Sequence, residues 1–304
     1  MENNYVWGLD IGGTKTAVVV GTTEGEILFR KAVATKGWKW QELVDMLLDS
    51  VPDTYAHPAS IGVSCGGPLN SVTGMILSPP NLPGWDEVPI VQYLESKLGI
   101  PAFVQNDADA CALAEWKVGA GKGTRHMIFL TFGTGMGAGL ILNGQLYSGA
   151  CGMAGETGHV RLEKDGPWGF GKNGSFEGFC SGGGINKLCK MRTGKDLSCK
   201  ELCELADGGN EEAKSVLLES ARMLGRGLAM LMDLFNPECI VIGSIFARAE
   251  RYFRAPALEV CKAEALPYTF DACRVVPALL GDRIGDVAAV SVAINGLERS
   301  GKHV

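Results

Sequence analysis

Two glycine-rich turns in the sequence carry residue types that can hold phosphate. In the first turn, Asp10 ends an apolar run, and Gly12, Gly13, Thr14 and Lys15 precede the next apolar run. Glycines allow backbone N–H groups to point at an anion, and the hydroxyl and amine add further donors. A simple hairpin turn is the alternative. The spacing matches neither the phosphate loop of nucleotide hydrolases nor the dinucleotide-binding fingerprint.

The second turn places Gly133, Gly135, Gly137 and Gly139 at alternate positions between two apolar runs, with Thr134 among them. Alternating glycines let another backbone or a ligand approach closely. Alone, this turn is as consistent with a tight hairpin as with a ligand site. The two turns together favour a nucleotide site to which each half of the chain contributes one glycine turn.

Asp10 and Asp107 are the carboxylates best placed for phosphoryl-transfer chemistry. Asp10, at a strand end, could hold Mg²⁺ through water, because hard cations prefer carboxylate and water oxygens. Asp107 follows Asn106 between a predicted strand and an alanine-rich helix, where a general base could accept the proton of an attacking hydroxyl. For an isolated aspartate, capping of the helix is the more ordinary role. The surrounding motifs favour catalysis.

Three further polar residues, Glu156, His159 and Glu177, lie on glycine-rich stretches. Their planar carboxylate and imidazole groups suit the hydroxyls of a sugar. The chain has only four histidines, but a lone histidine is more often structural than functional, so this signal is weak by itself.

Hydrophobic periodicity and turn residues predict the elements that position these groups. The predicted strands are Tyr5 to Gly12, Thr16 to Gly21, Ile27 to Ala34, Ala59 to Val63, Ala102 to Gln105, Met127 to Phe132, Leu140 to Leu142 and Ile240 to Ile242. The predicted helices are Gln41 to Ser50, Val91 to Leu98, Ala108 to Val118, Ser215 to Phe235 and Asp286 to Leu297. The long helix should bury one stripe, formed by Leu218, Ala221, Leu224, Leu228, Leu231 and Leu234. The strand and turn pattern occurs twice, which indicates a duplicated α/β architecture of two lobes around a cleft.

Composition excludes several other classes of protein. A net charge of −6 over 304 residues, without a dense Lys/Arg run, leaves no basic footprint for nucleic acid. The N-terminus shows no secretory pattern, and no apolar run is long enough to cross a bilayer. Ten scattered cysteines without a CxxC pair indicate reduced, mostly buried thiols. We expect a soluble, cytoplasmic protein whose partner is a small molecule.

Taken together, these residues resemble the ROK family of repressors and sugar kinases. The resemblance covers nearly the whole chain and depends on a series of motifs in the same order. These motifs are LDIGGTKT at 9–16, GVSCGGPLN at 62–70, NLPGW at 81–85, NDADACALAE at 106–115, FGTGMGAG at 132–139, GETGH at 155–159, GFGKNGSFE at 169–177, Asn236-Pro237 and Gly281-Asp282.

The resemblance implies an actin-like, ribonuclease H-like ATPase fold with duplicated β-β-β-α-β-α units. The implied N-terminal lobe is 1–115, completed by a C-terminal helix at 285–304, and the implied C-terminal lobe is 116–284. The implied activity is ATP- and Mg²⁺-dependent phosphorylation of a hexose or N-acetylhexosamine, at the 6-hydroxyl. A homodimer is left open, and the sugar depends on loops around Gly66 and Asn70.

The resemblance also implies roles for single residues. Asp107 would be the catalytic base, and the sugar-binding residues would be Gly66, Gly67, Asn81, Asn106, Glu156, His159 and Glu177. The phosphate-binding residues would be Gly12, Gly13, Thr14, Lys15, Thr134, Gly135 and Gly137, with Asp10 toward Mg²⁺ and Gly243 near adenosine.

Two positions depart from the family's pattern. Many members carry three cysteines that bind structural zinc together with the histidine, but this chain has Trp168, Phe170 and Ser175 there. We therefore expect no structural zinc, with Trp168 and Phe170 replacing it by apolar packing. Ser244 also stands where a glycine is common after Gly243.

Two other functions compete with the kinase. A ROK repressor would carry a helix-turn-helix before the first phosphate motif, and Asp10 comes too early in this chain to leave room for one. A catalytically silent sugar-binding regulator without a DNA-binding domain is the alternative that stays open. The presence of Asp107 favours the kinase.

Overall fold

The structure, a computed structural model, describes residues 5–301, which form two compact units. Unit 1 contains residues 5–123, 148–152 and 282–301, and unit 2 contains residues 124–147 and 153–281. The lobe boundaries expected after residues 115 and 284 stay a prediction. The outer ends of the expected N-terminal lobe, at 1–4 and 302–304, lie outside the described residues.

The strands, in chain order, are β1 (Tyr5–Ile11), β2 (Lys15–Thr22), β3 (Ile27–Ala34), β4 (Ile61–Cys65), β5 (Leu69–Asn70), β6 (Met75–Ile76), β7 (Ala102–Asn106), β8 (Met127–Leu130), β9 (Ala138–Leu142), β10 (Gln145–Leu146), β11 (Trp168–Gly169), β12 (Lys172–Asn173), β13 (Cys239–Ile242) and β14 (Arg274–Pro277). The helices are α1 (Trp40–Leu48), α2 (Ile90–Leu98), α3 (Asp107–Val118), α4 (Phe176–Cys180), α5 (Gly182–Thr193), α6 (Cys199–Asp207), α7 (Glu211–Phe235), α8 (Ile245–Glu264), α9 (Pro267–Ala272) and α10 (Ile284–Arg299).

The sheet of unit 1 has the strand order β3-β2-β1-β4-β7. Strands β1, β2 and β3 form an antiparallel meander, whereas β4 and β7 run parallel to β1. Every residue of β4 is buried. Such a continuous apolar strand is typical of a parallel sheet that is covered on both faces.

Unit 2 repeats this arrangement with the strand order β10-β9-β8-β13-β14. Strands β8, β9 and β10 are antiparallel, and β13 pairs in parallel with both β8 and β14. The predicted α/β class, with one sheet pattern used twice, is therefore confirmed.

Helix α7 packs into the core of unit 2, but its buried stripe differs from the predicted one. Leu224 and Leu228 are fully buried, whereas Leu218 is 36% exposed and Leu234 is 68% exposed. Leu217 takes the core position, at 1% exposure. The prediction is right in the middle of the helix and wrong at both ends, because a step of one residue turns a side chain by about 100° around the axis.

Helix α10 lies very close to the sheet of unit 1 because glycines face it. A Cβ on Gly62, in β4, would lie 2.3 Å from both the Ala289 carbonyl oxygen and the Ala293 nitrogen of α10. A Cβ on Gly8, in β1, would lie 2.8 Å from the Ala289 side chain. Small residues on both elements thus allow helix and sheet backbones to approach.

All ten cysteines lie within the described residues; they are free, and most are buried. The expectation that most of the cysteines are buried is confirmed. No helix between residues 5 and 301 combines the length and the apolar character needed to span a membrane.

We predict that Gly62→Ala lowers the free energy of unfolding by at least about 2 kcal/mol, because its methyl group meets backbone atoms that cannot move aside. Urea denaturation measures this change. Gly66→Ala is the matched control, since a Cβ there meets nothing within 4 Å, and its effect should stay within about 0.5 kcal/mol. Equal losses in the two variants would contradict the close approach of α10.

Candidate active site

Three parallel strands of unit 1 end in register, and candidate residues follow each end. Ile11 pairs with Cys65, and Cys65 pairs with Asn106. Neighbouring strands are about 4.8 Å apart. The residues after these strand ends, namely the β1–β2 turn, the Gly66–Gly67 loop and Asp107, therefore form one row at the carboxyl edge of the sheet, where α/β proteins commonly bind ligands.

Asn106, not Asp107, caps helix α3. The Asn106 Oδ1 accepts a hydrogen bond of 2.8 Å from the Asp109 backbone N–H. The alternative in which Asp107 serves as the cap is therefore wrong. Asp107 is the first helical residue, its side chain is exposed, and its Oδ1 accepts from the Ala108 N–H at 2.9 Å. Asn106 thus performs the structural task and leaves the Asp107 carboxylate at the surface.

Asp107 makes no ion pair with any residue between 5 and 301. Partial desolvation raises its pKa above the usual value, and hydrogen bonds from backbone N–H groups oppose that shift. A raised pKa makes a carboxylate a stronger base. The electrostatic environment of Asp107 thus suits proton acceptance.

Asp10 lies among other carboxylates of unit 1. Burial, followed by the charges of Asp286 and Asp107, raises its pKa from 3.8 to about 6, and Arg30 opposes the shift. Arg30 Nε contacts both Asp286 oxygens at 2.8 and 2.9 Å. A Cβ on Gly285 would lie 2.5 Å from Asp10 Oδ2, so glycine is required beside the carboxylate. No group of three or more acidic, His or Cys side chains between residues 5 and 301 is arranged to hold a metal ion, so Asp10 could bind a hard cation only together with water or ligand oxygens.

The β1–β2 turn is held by a residue that the sequence did not reveal. Thr35, at the end of β3, donates through Oγ1 to the Gly12 carbonyl oxygen at 2.6 Å, and its N–H donates to the Thr14 carbonyl oxygen at 3.0 Å. A Cβ on Gly13 would lie 2.5 Å from the Asn81 carbonyl oxygen. The structure therefore brings the predicted residue Asn81 next to this turn. Thr14 and Lys15 are exposed.

The second glycine turn, in unit 2, is braced by Glu177. The Glu177 Oε2 accepts a hydrogen bond of 3.0 Å from the Met136 N–H. A Cβ on Gly135 would lie 2.9 Å from the same oxygen, and one on Gly158 would lie 2.2 Å from the Met136 carbonyl oxygen. Glu177 and the Gly155–His159 segment thus pack against the predicted phosphate turn.

His159 contacts three neighbouring side chains in unit 2. Its Nε2 is 3.8 Å from Glu156 Oε2, and its ring lies edge-on to that of Phe170 with centroids 4.6 Å apart. Lys172 Nζ donates to the His159 carbonyl oxygen at 2.9 Å. The predicted residues Glu156 and His159 are therefore neighbours, half-exposed or exposed to solvent.

A pocket of about 800 Å³ opens in unit 2 beside the second glycine turn. Its walls come from that turn, from the start of α5, from α6 and from α8. The residues that line it are Gly133, Thr134, Gly182, Gly183, Ser198, Cys199, Lys200, Cys203, Glu204, Ile245, Arg248, Ala249 and Arg251. This volume lies within the range of small-molecule sites.

Most of these pocket residues were not predicted from the sequence to belong to a site. The available signal was the run Gly182-Gly183-Gly184 after Ser181, which opens a helix. The Gly182 N–H donates to the Gly133 carbonyl oxygen at 2.7 Å, and the Gly183 N–H donates to that of Thr134 at 3.3 Å. Glycines there let α5 approach the turn closely.

Comparison with known proteins agrees with this geometry. The ROK family model matches residues 6–295. A glucokinase from Halalkalibacterium halodurans is 32% identical over 309 residues, covering 94% of this chain and 93% of that protein. An N-acetylmannosamine kinase from Escherichia coli is 32% identical, covering 80% and 84%. A xylose repressor from Caldicellulosiruptor bescii is 27% identical, covering 95% and 78%.

Two solved structures are similar over almost the whole chain. The ROK hexokinase from Thermus thermophilus has a TM-score of 0.87 at 30% identity, covering 97% of this chain and 99% of that one. A ROK glucokinase from Streptomyces griseus, solved with glucose and AMPPNP, has a TM-score of 0.74 at 29% identity, covering 95% and 99%.

The chain belongs to the ROK family. The predicted family, the actin-like fold class and the enzyme class are thereby confirmed: this is a ROK sugar kinase. The individual site residues stay predictions.

The aromatic residues at the ROK zinc positions do not form the expected apolar core. Trp168 is 56% exposed and Phe170 is 74% exposed, so the expected packing is wrong for Trp168 and limited to the His159 contact for Phe170. The β11–β12 hairpin is too short to bury both rings. Ser175 is fully buried, and its Oγ caps α4 by accepting from the Gly178 N–H.

Ser244 explains why ROK proteins commonly have glycine at this position. Its backbone has φ of 53° and ψ of −112°, a conformation that side chains disfavour. A Cβ on Gly133 would lie 3.6 Å from the Ser244 Oγ. The strained residue thus sits beside the second glycine turn and immediately before α8.

We predict that Asp10→Asn stabilises the protein at pH 7.5 by about 1–2 kcal/mol, a value reduced for the partial exposure of this residue. Because the folded pKa of about 6 exceeds the unfolded value of 3.8, the folded chain binds more protons in this window, and stability falls as pH rises through it. The gain should therefore shrink by more than half at pH 4.5, where folded Asp10 is protonated.

Urea denaturation at the two pH values measures this difference. Asp271→Asn, at an exposed position in α9, is the matched control and should change neither value. A gain of equal size at pH 4.5 and pH 7.5 would contradict the raised pKa.

Proposed function

We propose that this ROK kinase transfers the γ-phosphoryl group of ATP to the 6-hydroxyl of a hexose or N-acetylhexosamine, with Asp107 as general base. The observation that carries the proposal is the exposed, ion-pair-free carboxylate of Asp107 at the carboxyl end of β7, with the capping role taken by Asn106. The glucokinase and N-acetylmannosamine kinase relatives support these two sugar classes.

The raised pKa of Asp107 supports proton transfer. In the proposed reaction, the Asp107 carboxylate accepts the proton of the sugar hydroxyl as its oxygen attacks the γ-phosphorus of ATP. The bond between the γ-phosphorus and the bridging oxygen breaks, and ADP leaves. Most of the catalysis in such reactions comes from positioning and from stabilisation of charge, so a carboxylate fixed at a helix start is well suited.

The nucleotide would occupy the 800 Å³ pocket of unit 2. Gly133 and Thr134 at one wall support a phosphate role for the second turn, together with Gly135 and Gly137, and the adjacent Gly243 would lie near the adenosine. Gly12, Gly13, Thr14 and Lys15 form the proposed phosphate turn of unit 1. The AMPPNP complex of the S. griseus glucokinase supports ATP as the donor.

Asp10 would hold Mg²⁺ through water, and its raised pKa, caused by burial and then by the charges of Asp286 and Asp107, supports this assignment. When bound, the cation neutralises negative charge on the phosphates. The side chain of Asp10 has to be ionised for this role, because the carboxylate is the form that hard cations bind.

The sugar would be bound by Asn81, Asn106, Glu156, His159 and Glu177, with the Gly66–Gly67 loop beside it. The contact of His159 with Glu156 supports a shared role in hydroxyl recognition. Glu177 has one oxygen committed to the Met136 N–H, so it would bind sugar through the other. A homodimer in the cytoplasm also remains a proposal.

A catalytically silent sugar-binding regulator is the second candidate. Its support is the similarity to a xylose repressor. The two candidates differ in turnover, because a silent regulator binds sugar without forming a phosphorylated product.

We predict that Asp107→Asn lowers kcat with ATP, Mg²⁺ and the accepted sugar by at least about 10²-fold, because the proton acceptor is lost. A coupled assay of ADP release measures kcat. Asp271→Asn is the matched control and should retain full activity. Thermal unfolding should show that Asp107→Asn is folded and still gains stability from the sugar. A variant with unchanged kcat would rule out Asp107 as the base.

We predict that one or more of glucose, mannose and the N-acetylhexosamines raises the melting temperature, because a ligand that binds only the folded state stabilises it. The matched 6-deoxy sugar should also raise the melting temperature but yield no phosphorylated product. Phosphorylation of the 6-deoxy sugar would contradict the choice of hydroxyl. Binding of the parent sugar without any product would favour the silent regulator.

A further inference from the structure

The pocket of unit 2 contains two thiols that the proposed phosphoryl transfer does not use. Cys199 and Cys203 lie four residues apart on α6, so they face the same side of that helix. Both line the pocket, although only 7% and 8% of their surfaces are exposed. A small molecule that enters the pocket therefore lies beside both residues.

The two sulfur atoms are not chemically equivalent. The neighbouring thiol of Cys199 lowers the pKa of Cys203, and that of Cys203, followed by burial, raises the pKa of Cys199. Arg251, across the pocket on α8, also lowers the pKa of Cys203, while Asp207 and Glu204 oppose it. Thiolate is the reactive form of cysteine, so Cys203 is the nucleophile of the pair.

The other cysteines have different surroundings. Cys65, Cys180 and Cys261 are buried, and desolvation raises the pKa of each thiol. None of them lines this pocket. Cys151 is exposed and belongs to unit 1. The chain thus offers both buried and exposed cysteines as internal references for Cys203.

We propose that Cys203, one helical turn from Cys199 on the pocket-lining face of α6, is a thiol modification site inside the nucleotide pocket, open to peroxides and small electrophiles and closed by bound nucleotide. The part that concerns the nucleotide rests on the proposed function. In the reaction with a peroxide, the Cys203 thiolate attacks one peroxide oxygen; the S–O bond forms, the O–O bond breaks, and hydroxide leaves to be protonated to water. The sulfur is oxidised to a sulfenic acid and the peroxide is reduced.

Modification of Cys203 and binding of nucleotide therefore compete for the same pocket. An oxygen or an alkyl group on Cys203 projects into the cavity that the adenosine would fill, next to Arg248 and Arg251. Modification therefore weakens nucleotide binding, and nucleotide shields the thiol.

The test is a time course with limiting iodoacetamide on the folded full-length protein, with each cysteine quantified by peptide mass spectrometry. Cys203 should be alkylated at least tenfold faster than Cys261. AMPPNP, at a concentration that raises the melting temperature, should slow alkylation of Cys203 at least fivefold and leave Cys151 unchanged. In Cys199→Ala, alkylation of Cys203 at pH 7 should be several-fold slower, because the neighbouring thiol that lowers the pKa of Cys203 is gone.

A second arm uses hydrogen peroxide. The protein should lose AMPPNP binding, measured by thermal shift, and regain it with dithiothreitol, whereas Cys203→Ser should retain its own starting affinity after the same treatment. Cys151→Ser is the matched control and should lose binding like the parent.

Two results would overturn the proposal: alkylation of Cys203 no faster than that of Cys261, or a Cys203 rate unaffected by AMPPNP that demonstrably binds. The kinase assay is separate, because absence of sugar phosphorylation in reduced, untreated protein would defeat the proposed function without changing the alkylation pattern.

Discussion

The parallel register of β1, β4 and β7 is the constraint on which the site of unit 1 depends. Because Ile11, Cys65 and Asn106 pair across the sheet, the three chain segments leave it at one edge. A shift of one residue in any pair would turn the alternating side chains to the opposite face. Asp10 would then leave the neighbourhood of Asp286, and Asp107 would no longer begin its helix beside the Gly66 loop. The close approach of α10, allowed by Gly62, supports this register.

The carboxylates at this edge of the sheet lower the stability of the folded chain at neutral pH. Burial of Asp10, followed by the charges of Asp286 and Asp107, raises its pKa to about 6, while Arg30 is paired to Asp286. A carboxylate whose pKa is raised by folding lowers the stability of the folded chain at neutral pH. Strongly perturbed carboxylates are characteristic of functional sites, where ligands supply the missing positive charge.

In unit 2, the position of the second glycine turn depends instead on close contacts with neighbouring backbone segments. Glu177, Gly158 and the glycines that open α5 all press against the second glycine turn, and the strained Ser244 adjoins it. Side chains larger than hydrogen at these glycines would meet carbonyl oxygens or the Glu177 carboxylate. Beside the same turn lies the 800 Å³ pocket, walled by α6 and α8 and lined by the two cysteines of α6. Rigidity of the turn and accessibility of the pocket therefore come from the same contacts.

The sequence by itself determined the alternation of strands and helices and the two glycine turns, and it singled out Asp107 as a candidate base, because these depend on local periodicity and on chemically specific motifs. It also predicted two matched sheets. It could not show that Asn106 caps α3, that Thr35 holds the first turn, or that Leu217 replaces Leu218 in the core, since each depends on the rotation or distance of remote elements. Helix α8 escaped prediction partly because Pro256 lies inside it. The pocket itself, assembled from residues 133 to 251, exists only once α5, α6 and α8 pack around the turn. Tertiary structure alone decided it, because no local pattern encodes which helix faces meet.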